Sequence, residues 1–246
     1  MKKKLTHLTE LNDIGEHHSF MSNLRKVAVM EDSTGEHCAW WSDYRVQQQL
    51  KSLLTVTNFC QKDSVRVVHK RDNIQTIEAN ISETNYQPNS FDFIWAANCL
   101  QKSINPLATL THWHSILKTD GMLVIGVPQS NYIDDLGRWQ SVNLSGEYFN
   151  WNLLNLIQSL AVSGFDCRDG HYKQKRHQAM IWAAVYKGTQ EPLDPTESTW
   201  YKLQELGLTP ATMDNSITRR GYPVWNDLKV GWLDGRLYDL EVETLP

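Results

Sequence analysis

Residues 29–38 read VMEDSTGEHC, so that an acid, Glu31, closes an apolar run and Gly35 follows after a short polar turn. An acid at a strand end can accept hydrogen bonds from a polar ligand, and a nearby glycine lets backbone approach that ligand closely. The same two residues also read as a solvated strand end and an ordinary turn glycine. Asn80 and Ile81 close the segment IQTIEANI and fit the wall of a pocket, because open α/β sheets bind ligands at the carboxyl ends of their strands. Asn98 stands just past the apolar run FDFIWAA, where its amide suits orienting a nucleophile or capping a turn. No nucleophile and base stand out as a pair, and the catalytic residue stays unassigned.

Other chemistry is disfavoured. His112 and His114 flank a tryptophan on a segment with helical spacing, and residues two apart on a helix point away from each other, so they cannot share one metal ion. His17 and His18 lack acidic partners at ligand spacing, and no metal is expected. Cys38, Cys60, Cys99 and Cys167 are scattered without a CxxC pair and read as small buried hydrophobes in a reducing compartment, which implies a cytoplasmic protein. A net charge of −4 gives no general attraction to nucleic acid or anionic membrane. The basic run KQKRH at 173–177 reads as a solvated loop, with an anionic substrate as the alternative. No apolar run is long enough to span a bilayer, and the segment after MKKK lacks the apolar core of a secretory signal.

These residues need a scaffold, and 246 residues with an apolar fraction of 41% can build a sizeable core. Leu5, Leu8 and Leu11 suggest a short amphipathic helix within an N-terminal segment, 1–24. Strands are expected at 26–31, 64–70, 74–81, 91–98, 122–128 and 177–188, and helices at 40–54, 105–117 and 151–165. Pro106 sits near the first turn of the second helix, where its missing N–H is harmless. KTDG at 118–121 reads as the turn that ends this helix, with Gly121 in a left-handed or turn position. Strands alternating with helices at this spacing imply a doubly wound, mostly parallel α/β sheet over 25–188. Beyond Gly188 the composition shifts to an aromatic, non-periodic extension, 189–246, with a hairpin signal at Asp234-Gly235. Trp225, Trp232 and Tyr238 in it suit either docking on a protein partner or packing back on the chain's own domain.

The order of motifs from Ile74 to Gly188 resembles the class I S-adenosylmethionine-dependent methyltransferases. The segments carrying the resemblance are IEANISE, SFDFI at 90–94, LKTDGMLVIGVP at 117–128, AVSGFD and AAVYKG. The resemblance implies a Rossmann-like methyltransferase fold, with Asp92 structural rather than chemical, and Asn80 and Ile81 beside the adenine. It implies S-adenosyl-L-methionine as cofactor and methyl transfer to an unidentified small-molecule or protein acceptor. Nucleic acid is disfavoured, since the tetrapeptides and the Pro-Cys pair of base methyltransferases are absent.

The family's motif, an acid followed by three glycines at alternate positions, has two possible locations. One is NDIGEHH with Asp13 and Gly15, which makes Glu31 the ribose ligand. The other is VMEDSTGEH with Glu31 as opening acid and Gly35 as the surviving glycine; the 49 positions from Glu31 to Asn80 favour it. On that second reading the ribose acid has no clear location, Asp72 lying far along. The loss of most glycines leaves open a second function, a cofactor-free scaffold acting as an interaction module.

Overall fold

The computed structural model describes residues 10–11, 24–43, 54–61, 71–129, 132–133, 139–140, 149, 151–174, 180–210 and 228–230. Eight strands form one sheet in the order β3-β2-β1-β4-β5-β9-β8-β10. They are β1 (Lys26–Met30), β2 (Thr55–Cys60), β3 (Ile74–Glu78), β4 (Phe91–Ala97), β5 (Leu117–Pro128), β8 (Phe165–Gln174), β9 (Met180–Lys187) and β10 (Leu228–Val230). Two short strands, β6 (Tyr132–Ile133) and β7 (Trp139–Gln140), pair separately. The first five strands run parallel, while β9 lies antiparallel to both β5 and β8. The expected doubly wound, mostly parallel architecture is therefore present.

Alternation along the strands sends side chains to two cores. Ala28, Met30, Ile94, Ala96, Leu123 and Ile125 meet α2 (Pro106–Ile116) and α3 (Leu153–Val162) on one face. Val27, Val29, Phe93, Trp95, Val124 and Trp182 meet α1 (Glu36–Ser42) and Leu11 on the other. Coverage of both faces is what lets parallel strands be apolar throughout. Local chemistry sets the helix starts. Asn105 caps α2 by accepting from the Ala108 N–H at 3.1 Å, with Pro106 in the first turn as expected. Asn152 and Asn155 form a reciprocal capping box on α3.

Several expected elements differ. The first helix begins at Glu36, inside the stretch read as a turn, because the Asp32 carboxylate accepts from the Gly35 and Cys38 N–H groups and so caps it. The second strand is TVTNFC at 55–60, directly after the expected helix at 40–54, where no element was expected; the expected strand at 64–70 lies outside the described residues. KTDG is no break between elements but a bulge inside β5: Leu117 pairs with Phe91, and Met122 with Phe93. Asp120, rather than Gly121, takes the left-handed turn, at φ 62°. Polar β8 was not expected at all, and the first residues of KQKRH belong to it.

The described part of the C-terminal region packs on the chain itself. Trp200 and Leu203 of α4 (Trp200–Glu205) join the core beside α3, and β10 extends the sheet edge. Trp225, Trp232, Tyr238 and the Asp234-Gly235 hairpin lie outside the described residues.

Gly126 of β5 is paired in register with Trp182, whose ring stacks on Trp95 at 5.3 Å. A methyl group on Gly126 would meet the Trp182 ring at 2.7 Å. Gly126→Ala is expected to destabilise the domain by about 1–3 kcal/mol through overpacking. A urea unfolding midpoint unchanged from wild type would show that the indole yields freely.

Candidate functional site

The carboxyl ends of β1 to β4 converge on a cleft at the point where the chain order of the sheet reverses, between β1 and β4. A cavity of about 350 Å³ opens at the tips of β2, β3 and β4, lined by Gln61 after β2, by residues 80–83 after β3, by residues 102–105 after β4, and by Ala108 of α2. Asn80 and Ile81, both expected from the sequence, line it. The Asn80 side chain accepts from the Ser82 N–H at 3.0 Å, which turns the chain under the cavity. The Ile81 carbonyl accepts the Trp113 indole N–H at 2.8 Å, so this wall is tied to the buried face of α2.

The rest of the wall carries hydroxyls that sequence reasoning missed. Ser82 and Ser103 each lie 2.6 Å from the Thr109 hydroxyl and 3.2 Å from one another. Such a mutually bonded set is held rigid and presents alternating donors and acceptors toward a polar ligand. The one available signal was positional, since Ser103 follows the strand end where ligands of this architecture bind. Ile104, 82% exposed, stands at the rim.

Glu31 and Gly35 form the bend between β1 and α1. Both have left-handed backbone, Glu31 at φ 60° and Gly35 at φ 75°. The conformation is free for glycine and strained for glutamate. The Asp32 side chain, fully buried, occupies the inside of the bend, and its carbonyl accepts from the Asn58 amide at 3.1 Å. His37 stands 3.7 Å from the Asp32 carboxylate and edge-on to Trp95; burial lowers its pKa, which the carboxylate partly opposes.

The Glu31 side chain leaves its own strand and accepts from the Gln61 N–H at the tip of β2, at 2.9 Å. Burial raises its pKa, opposed by that N–H and by the nearby Lys102 ammonium. Gln61 and Lys102 both line the cavity, so the carboxylate lies behind residues of its wall. None of Glu31, Gly35 and Asn98 is among the lining residues. Asn98, also left-handed at φ 58°, donates its N–H to the Gly126 carbonyl and accepts from the Gln101 amide at 2.7 Å, closing the turn after β4.

His112 and His114 diverge as expected. His112 bonds Thr84, with 2.7 Å between its Nε2 and the hydroxyl, while His114 packs edge-on to Phe165. No group of three or more metal-ligating side chains occurs among the described residues.

Comparison with known proteins points the same way as the geometry. Residues 34–125 match the methyltransferase domain family. A search of curated proteins found no match. An S-adenosylmethionine-dependent methyltransferase from Mesorhizobium loti superposes with a TM-score of 0.54 at 13% identity, over 72% of this chain and 97% of its own. Phosphoethanolamine N-methyltransferase 2 of Haemonchus contortus, solved with S-adenosyl-L-methionine, gives 0.57 at 11% identity, over 74% of this chain and 53% of its own. The [4+2]-cyclase SpnF gives 0.53 at 12% identity, over 75% of this chain and 81% of its own. Residues 34–125 thus match a methyltransferase domain, and the fold is that of the class I methyltransferases.

Within a methyltransferase domain the glycine motif can now be placed on the structure. With Gly35 as its last glycine, the alternate-position spacing puts Ser33 and Glu31 at the other two and Val29 at the acid. The left-handed φ of Glu31 agrees with a glycine position. The next strand tip of the methyltransferase domain, where a ribose acid would be sought, is Gln61 and not Asp72.

Proposed function

We propose that the chain is an S-adenosyl-L-methionine-dependent methyltransferase acting on a small-molecule or protein acceptor. The observation that carries this reading is the open, polar cavity at the carboxyl ends of β2, β3 and β4. Its 350 Å³ is adequate for a nucleoside, and its walls carry hydroxyl, amide and carbonyl groups in place of apolar filling. Asn80, Ile81, Ser82 and Ser103 would hold the base end, while Glu31 and Gly35 lie at the bend and Asn98 borders the acceptor side. When bound, the cofactor supplies an already activated methyl group on a sulfonium sulfur. The protein's own part is to align the acceptor with that methyl and exclude water, for which no dedicated base is required unless the acceptor must lose a proton.

The net charge of −4 fits an acceptor other than nucleic acid, and no helix among the described residues is long and apolar enough to cross a membrane. All four cysteines are buried and none is in a disulfide; burial pushes the Cys167 thiol up to about 12 and Cys38 and Cys99 higher still. This fits a reducing, cytoplasmic setting.

The test uses methyl-labelled cofactor, the protein and fractionated small molecules and proteins, with label transfer as readout. Transfer should vanish in Ala108→Trp, which puts an indole into the cavity from an exposed helical position. Label transfer that survives this filling would place the cofactor elsewhere.

One feature supports a second reading, a scaffold without cofactor. In the bend, Asp32 already accepts from the Gly35 and Cys38 N–H groups, and a glutamate stands where the motif has glycine. Absence of both cofactor binding and transfer would favour it, with the aromatic C-terminal extension as the partner surface.

A further inference from the structure

The segment that walls the cavity after β3 is fastened to α2 at three points. Ser82 lies 2.6 Å from the Thr109 hydroxyl, the Ile81 carbonyl accepts the Trp113 indole N–H at 2.8 Å, and Thr84 meets His112. Thr109 is followed three and four residues on by His112 and Trp113, so all three share one face of the helix. The first two contacts do not change with pH near neutrality. The third does. The Thr84 N–H stands 3.1 Å from His112 Nε2, and the Thr84 hydroxyl stands 2.7 Å from the same atom. A backbone N–H can only donate, so Nε2 is the acceptor and the ring proton of neutral His112 sits on Nδ1. Protonation puts a second N–H where the acceptor was. The hydroxyl can then reverse its bond and accept, but the backbone amide of Thr84, a buried residue, is left facing a donor.

Resting on the nucleoside-cofactor reading above, we propose that His112 is a positioning residue for the cofactor: neutral, it holds residues 80–84 against α2, and protonated, it releases them, so that affinity falls in mild acid. Burial lowers the His112 pKa, partly opposed by the exposed Glu83 carboxylate on the segment itself. On its own helix, His114 packs instead on Phe165. Of the elements packed on α2, α3 carries no ionisable side chain, and the turn Leu100–Lys102 carries Lys102 on the cavity wall. In β5, Lys118 is held by Asp92 and Asp120 is exposed. A folded-state pKa below the ordinary histidine value of about 6.5 keeps the contact complete above that pH and loses it as pH falls through the lower value.

Calorimetric titration with S-adenosylhomocysteine from pH 7.5 to pH 5 tests this on wild type, His112→Gln and His112→Phe. The glutamine amide oxygen accepts from the Thr84 N–H at every pH. Wild-type affinity should therefore fall about tenfold across the range beyond any change seen in His112→Gln. Glu31, whose pKa burial raises, titrates in all three proteins and drops out of the ratio. His112→Phe leaves the buried amide without an acceptor and should bind about tenfold more weakly than wild type already at pH 7.5. Two measurements need no ligand. Ring nitrogen NMR shifts should show the Nδ1–H form at pH 7.5. Amide exchange of residues 80–90, corrected for the intrinsic rate, should lose protection in acid in wild type and keep it in His112→Gln. Thermal unfolding checks that each variant is folded.

A ratio of wild-type to His112→Gln affinity that stays constant with pH, or a neutral ring protonated on Nε2, overturns the proposal and leaves the cofactor reading intact. No binding by any of the three proteins overturns the cofactor reading and the role in positioning it. The exchange data then still decide whether His112 holds the segment.

Discussion

Lys173→Met is expected to destabilise the protein by about 3–5 kcal/mol, the usual effect of leaving one member of a buried ion pair without its partner. The Lys173 ammonium lies 2.6 Å from the Glu10 carboxylate, with side chains 10% and 6% exposed. The pair joins the N-terminal segment to β8, beside Trp182 of β9. Removing the ammonium leaves a carboxylate in a place water scarcely reaches, and that desolvation far exceeds the methionine's gain in packing. Pairing Lys173→Met with Glu10→Leu should recover most of the loss, because two apolar side chains of similar size replace two charges. Urea unfolding of the two single variants and the double variant reads this directly. A single-variant loss below about 1 kcal/mol is the value for a solvated pair and would refute it.

Asp92→Ala is expected to destabilise the domain by about 1.5–3 kcal/mol and to flatten its acid sensitivity. This acid opens the buried strand β4 and binds three donors from three directions. Its Oδ2 accepts from the backbone N–H groups of Arg25 and Lys26 at 2.9 and 2.8 Å, and its Oδ1 accepts from the Lys118 ammonium at 2.6 Å. It thus fastens the starts of β1 and β5 to β4. The estimate stays modest because Arg25 and Lys26 are exposed, so water replaces part of what is lost.

Burial alone would raise the Asp92 pKa, but Lys118 and the two amides outweigh it and hold the carboxyl below its ordinary value. A depressed folded-state pKa means that the stabilisation is fully present above the unfolded value, about 3.9. It is lost as pH falls through the lower folded value. Stability measured from pH 5 to pH 2.5 should therefore fall more steeply in wild type than in Asp92→Asn. Parallel curves would show that Asp92 carries no such linkage.

The motifs that could be read were those whose physics is local. β1, β4 and β9 announce themselves as apolar runs, and α2 and α3 by three- and four-residue spacing behind Asn105 and Asn152. β2 was obscured because Asn58, a poor strand former, sits in its middle; its amide donates to the Asp32 carbonyl, so the strand carries part of the bend. β8 was hidden by charge, since Lys173 is buried beside an ion-pair partner 163 residues away. The bulge in β5 leaves no mark in composition, since any turn-like tetrapeptide reads as an end.

At the cavity, Asn80 and Ile81 were legible from the rule that ligands meet strand ends. Ser82, Ser103 and Thr109 were not, because hydroxyls carry no periodic signature and converge only through the fold. The left-handed backbone of Glu31 is likewise a tertiary fact.

The central claim is that the cavity at the tips of β2, β3 and β4 is a nucleoside-cofactor site. Titrating wild-type protein and Ala108→Trp with S-adenosyl-L-methionine in a calorimeter tests it most directly. One site per chain in wild type, abolished by the tryptophan, is the predicted result. Wild-type protein that gives no heat at millimolar cofactor, or a tryptophan variant that binds as well as wild type, would contradict it.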